Sequence, residues 1–176
     1  MRQRIIIILG IAMAALIVVG GALGSALTTT ATVSGTAGVS LAQPATASIS
    51  DTLTGADQTV SYAPLLGVAD ARGTGAGWNL QIAATNFDDG SGHTLAPGAI
   101  SAVSAACVGG SACTGATNVI GYPLTVIGTA TKFYNAATAT GMGKVNVTPT
   151  VDVTIPGNAY AGTYTSTVTL AVVSGP

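Results

Sequence analysis

Glutamate is missing from this chain, and other ions are scarce: five Lys and Arg, six Asp and one His among 176 residues. At 6% charged it falls far below the norm of about 25%. So few cations cannot neutralise a row of phosphates, which excludes nucleic acid as a partner. A lone imidazole and no glutamate leave little for general acid–base catalysis at neutral pH. Two cysteines with no further ligands beside them do not make a zinc site, and no cofactor motif is present. A net charge of −1 with 48% hydrophobic residues is also the opposite of a disordered composition. Helical periodicity is lacking too, since no window beyond Leu27 carries apolar residues at three-and-four spacing.

What is present begins with an export signal. Arg2 and Arg4 precede the uncharged apolar run Ile5 to Val19, and the small residues Gly20 to Ala26 follow. That order is the basic, apolar and small-residue plan of a secretory leader, expected as a helix over 1–26 with cleavage after Gly24 or Ala26. The rival reading is an uncleaved anchor, because Ile5 to Leu27 is long enough to cross a bilayer. Both readings export the protein, and only the anchor would touch a membrane. Losing the leader leaves Arg72, Lys132 and Lys144 against six aspartates, a mildly acidic remainder at 27–176. No hydrophobic tail or sorting-type motif precedes Pro176, so attachment to a surface at that end is expected to be noncovalent. In an oxidising compartment Cys107 and Cys113, which flank the Gly-rich Val108 to Ala112, are expected to form a local disulfide.

The rest of the chain alternates. From Lys144 to Pro156 the residues Val145, Val147, Val151, Val153 and Ile155 share one parity, while Asn146, Thr148, Thr150, Asp152 and Thr154 share the other. This is a strand with one wet face. Pro149 removes a ladder donor, so the strand is expected at a sheet edge or broken in two there. Tyr164 to Val172 alternates likewise, as does the stretch from Val33 to Leu41, and further strands are expected at Ala45–Thr54, Thr59–Tyr62, Leu65–Asp70, Trp78–Thr85, Ile100–Ala105, Tyr122–Ile127 and Lys132–Tyr134. The turn from Pro156 to Gly162 allows its two strands either to pair or to cross between sheets. Roughly eight to ten short strands make an all-β, antiparallel two-sheet sandwich.

Trp78-Asn79-Leu80 follows a Gly-rich turn, Asn86 to Leu95 follows as a Phe-and-Gly loop, and Gly162 to Leu170 closes the chain as a Tyr- and Thr-rich strand. Behind an export signal, this arrangement resembles the WxL domain of Gram-positive cell-surface proteins over about Ala31 to Pro176. The family usually has a second Trp-x-Leu in its last strand, where this chain reads Val168-Thr169-Leu170. The resemblance implies a non-catalytic, secreted β-rich module, held noncovalently to peptidoglycan or to partner surface proteins. If both tryptophans grip the wall, the missing one weakens or redirects binding. Its candidate contacts are Trp78, Asn79, Leu80 and Gln81, with Val168, Thr169 and Leu170 at the second motif position.

The residues themselves permit two readings of that motif. Trp78 shares parity with Leu80 and Ile82 and is expected to anchor the core; the ligand-stacking reading is the alternative. Asn79 and Gln81 should face the other way, where amides can bond either glycan hydroxyls or water. His93, in Gly90 to Thr94, is expected in an exposed turn, with no serine nearby in a nucleophile-elbow pattern. Asp88 and Asp89 on their Gly-rich loop are a weak calcium candidate, since two adjacent carboxylates supply too few oxygens. Asn146-Val147-Thr148 is a glycosylation sequon on a strand. The competing function is a self-assembling filament or coat subunit, in which the strand at 31–41 completes a neighbouring copy's sheet.

Overall fold

The longest alternating stretch of the sequence becomes the longest strand and the centre of the larger sheet. A computed structural model describes residues 30–35, 38–109 and 112–176, within which Val33–Pro176 form one compact unit. The strands are β1 (Val39–Ala42), β2 (Gln58–Tyr62), β3 (Leu66–Asp70), β4 (Trp78–Ala84), β5 (Phe87–Asp88), β6 (Thr94–Leu95), β7 (Ala99–Cys107), β8 (Leu124–Thr125), β9 (Thr131–Ala136), β10 (Gly143–Ile155) and β11 (Val168–Ser174). One sheet runs β1-β3-β10-β7-β8 with β2 also on β10, a second runs β11-β4-β9, and β5 and β6 form a small hairpin. All pairings are antiparallel, and the two larger sheets pack as a sandwich. Among the described residues there is no helix; the leader expected at 1–26 lies outside them.

Alternation builds the core directly. Val145, Val147 and Val151 of β10 are buried, as are Leu66 and Val68 of β3, and they cluster with Trp78, Leu80 and Ile82 of β4 and Phe133 of β9 from the opposite sheet. Burying a side chain of this kind contributes about 1.5–3 kcal/mol. Phe133 and Tyr134 are consecutive and both buried because β9 carries an extra residue where its register against β4 shifts, between Leu80 and Gln81. Such a bulge re-aims one side chain without ending the strand.

Pro149 corrects the expectation drawn from it. The strand β10 is unbroken over 13 residues and has neighbours on both sides. On one flank β10 changes partner, from β3, where Val147 opposes Leu66, to β2, where Val151 opposes Tyr62. Residue 149 falls in that gap, so on that flank the donor that proline lacks has no ladder bond to lose. The register against β7 shifts immediately afterwards, between Thr150 and Val151.

Other expectations also change. Ala45–Thr54 forms no strand; apart from half-buried Ile49 the segment is exposed, and side chains as small as Ala45 and Ala47 offer little surface to hold it on a sheet. The expected strand at 122–127 shortens to β8, and the last strand begins at Val168 rather than Tyr164. Phe87–Asp88 and Thr94–Leu95 pair instead of forming a plain loop, and Asp88 bridges to Thr165. The turn from Pro156 to Gly162 crosses between sheets, since β10 and β11 belong to different ones. Among the described residues of 31–41, only Val39 onward is strand, and β1 pairs with β3 of its own chain.

Candidate functional site

Trp78 opens β4 after a connection in which Gly73, Gly75 and Gly77 all have positive φ. Its side chain is 0% exposed, its Nε1–H donates to the Gly141 carbonyl at 2.9 Å, and its ring lies 5.9 Å from that of Tyr134. Gly141 (φ 71°) is obligatory there: a Cβ would come within 2.5 Å of the Ala136 Cβ and 2.7 Å of the indole nitrogen. The Gly141 N–H donates to the Thr114 carbonyl, and the Thr114 N–H to the Met142 carbonyl. Thr114 follows Cys113, which is bonded to Cys107 at the end of β7 with Cα atoms 5.8 Å apart. The disulfide thus clips the segment that holds the loop over the tryptophan.

An ion pair ties the two sheets together at this same end. Arg72 follows β3 and grips Asp70 with two nitrogens, Nε to Oδ1 at 2.8 Å and Nη2 to Oδ2 at 2.7 Å. Nη2 also donates to the Gly77 carbonyl at 2.7 Å, and Nη1 to the hydroxyl of Ser174 at the end of β11. The Arg72 guanidinium, chiefly by its hydrogen bonds, holds the Asp70 carboxyl below its ordinary value, although burial works against it. The pair is nearly buried, with side chains 9% and 1% exposed.

Asn79 departs from expectation. It is buried rather than solvent-facing, because the chain beyond β11 folds over it: its Nδ2 donates to the Gly175 carbonyl at 2.8 Å and its Oδ1 accepts from Gln81 at 3.2 Å. Gln81 is half-buried, and Leu80 has no exposed surface. Whatever Trp78 and Leu80 contribute to binding therefore acts through the groups they position. The two motif positions are not brought together: Trp78 opposes Ser174, whereas Val168 opposes Ala84, about 20 Å further along the ladder.

That opposite end is built differently. A groove of about 620 Å³ lies between the 49–53 segment and the 159–164 turn, floored by Val60 of β2 and by Val153 and Ile155 of β10. A second groove of about 340 Å³ adjoins it, bordered by Val168 and Leu170; Ile49, Phe87 and Tyr164 line both. Volumes of about 300–1,000 Å³ are usual for ligand sites. Among the described residues, Asp51 is the lone carboxylate lining the pair of grooves, and no Lys, Arg or His lines either. It accepts from the Thr52 N–H and the Gln58 amide. Tyr160, 63% exposed, stands at the rim, and Tyr164 donates its hydroxyl to the Tyr160 carbonyl at 3.0 Å. Tyr160 is not singled out by a motif; the available signal was a large aromatic side chain inside a Gly- and Ala-rich turn with no packing partner in sequence.

His93 is half-buried rather than fully exposed. Its Nδ1 lies 2.6 Å from Asp89 Oδ2, and its ring stacks on Tyr160 with centroids 3.7 Å apart and planes 16° apart. Asp89 Oδ1 accepts from the Ser91 and His93 N–H groups, and Asp88 Oδ1 from that of Gly90. The His93 bond, foremost, lowers the Asp89 pKa. These carboxylates turn onto their own loop, and among the described residues no three His, Cys, Asp or Glu cluster as metal ligands. Nor, among the described residues, does a serine hydroxyl hydrogen-bond to His93.

A family model described as "WxL domain surface cell wall-binding" matches residues 28–176, nearly the whole chain. No curated protein and no solved structure matches.

Proposed function

Because the chain belongs to the WxL family of surface, cell-wall-binding domains, we propose that it is a secreted, non-catalytic protein held noncovalently on the peptidoglycan of a Gram-positive envelope. The family match across 28–176 is the observation that carries this reading. Residues 1–26 serve as the export leader and 27–176 as the wall-binding module. The buried motif at Trp78 supports it as framework: it fixes the end of the sandwich where both sheets, the Cys107–Cys113 clip and the last residues meet. With three cations outside the leader, association with the wall does not depend on neutralising anionic polymer.

Sedimentation of the chain with purified peptidoglycan sacculi tests this reading. It should co-sediment, and the bound fraction should hold from low to high salt. A chain that stays in the supernatant, or that forms filaments with no affinity for sacculi, overturns it. Mass spectrometry of the cell-surface protein, showing loss of residues up to Gly24 or Ala26, tests the leader.

A further inference from the structure

The trough formed by the two grooves has an orderly chemistry. Its apolar surface comes from Ile49, Leu53 and Phe87, its rings from Tyr160 and Tyr164, and its charge from Asp51 alone. A trough lined by no cation offers phosphate- and carboxylate-bearing polymers no counter-charge, and one with a single carboxylate gives a polycation little hold. A neutral, hydroxyl-rich chain with small apolar substituents is what remains: its hydroxyls meet Tyr and Thr oxygens, and its C–H faces meet rings. Tyr160 is already prepared for that contact. One face of its ring rests on His93, which Asp89 holds at 2.6 Å, and the residue as a whole is still 63% exposed. Such preorganisation removes much of the ordering cost of binding. The sharing of Ile49, Phe87 and Tyr164 by both grooves makes the seat longer than one sugar ring, as a polymer requires.

We propose that this trough seats a neutral N-acetylated glycan strand, with Tyr160 as its stacking platform and the apolar side chains Ile49, Leu53 and Phe87 receiving acetamido methyl groups. The inference rests on the wall-binding reading above and narrows it to one component of the wall and one end of the sandwich.

The experiment is a nuclear magnetic resonance titration of the full chain with the tetramer of N-acetylglucosamine, and separately with a soluble stem tetrapeptide. Binding should shift the amide signals of Ile49, Tyr160 and Tyr164. Tyr160→Ala should weaken the tetrasaccharide about tenfold, and Tyr160→Phe, which keeps the ring, by no more than about twofold. Shifts confined to another surface, an unchanged affinity in Tyr160→Ala, or occupancy of the trough by the peptide and not the sugar would each overturn the proposal. Sacculus sedimentation of the same variants separates the two levels: wild-type binding that Tyr160→Ala leaves intact removes the trough and keeps the wall, whereas no wild-type binding removes the wall reading itself.

Discussion

The two ends of the sandwich are made of different material. At the Trp78 end, a buried indole, a nearly buried Asp70–Arg72 pair, an obligatory glycine and a disulfide converge, and almost every polar group there has a named partner. At the Tyr160 end, residues 43–50 make no hydrogen bond to the rest of the described chain, a two-residue-stranded hairpin stands beside a turn, and rings and a leucine remain open. The Trp-x-Leu tripeptide lies at the first end and the two grooves at the second. On the proposed reading the motif marks the framework, while the contact surface lies elsewhere, on irregular segments carried by the scaffold.

Substitutions should separate the two ends sharply. The largest effect belongs to Trp78→Ala, which empties the core of its bulkiest side chain and strands the Gly141 carbonyl. Chemical denaturation should show a loss of about 3–5 kcal/mol. A variant that unfolds like the wild type yet loses sacculus binding would place the contact at the wrong end of this comparison. Asp70→Ala leaves a nearly buried guanidinium unpaired and should cost about 3 kcal/mol. Because the carboxyl of Asp70 is held below its ordinary value in the fold, its contribution is complete above the unfolded pKa of about 3.9 and is lost as pH falls through the folded value. Acid unfolding of the wild type should therefore steepen below about pH 4, and Asp70→Ala should flatten that limb.

Reducing the disulfide, or replacing both Cys107 and Cys113 by serine, should cost less, about 2 kcal/mol, because the loop it closes is short. The loss should appear as faster amide exchange at Thr114 and Gly141 before it appears anywhere near Tyr160. Uniformly faster exchange across both ends would contradict a local clip. Smallest of all, Tyr160→Ala should change unfolding free energy by less than about 0.5 kcal/mol while weakening the glycan tetramer. A large loss of stability there would make Tyr160 part of the framework and erase the contrast.

Much of the framework was readable in the chain. The alternation of valines fixed the face that β10 buries, the parity of Trp78 with Leu80 and Ile82 placed the indole inside, and the short Gly-rich spacing of Cys107 and Cys113 anticipated their bond. Pro149 misled because a proline's cost depends on whether an acceptor waits beside it, and the neighbour on that flank is set by strands that end some eighty residues earlier. Asn79 misled for a similar reason: parity assigns a face of the strand, but whether that face is wet depends on where Gly175 arrives. The segment 45–54 alternates as a strand should, yet pairing also requires a free edge and enough apolar area to hold the chain there.

Legibility was lowest where the proposed contact lies. Tyr160, Tyr164, Phe87 and Ile49 come from three separate segments and follow no common spacing, so no pattern announces them as one group. The sequence by itself determined the periodicity, and hence the all-β class, the hydrophobic faces and the scarcity of charge, because these depend on neighbours along the chain. Only the tertiary structure decided which strands became central, which faces were covered and which rings gathered around a trough. Those outcomes depend on contacts between residues far apart in sequence, where pattern carries no distance.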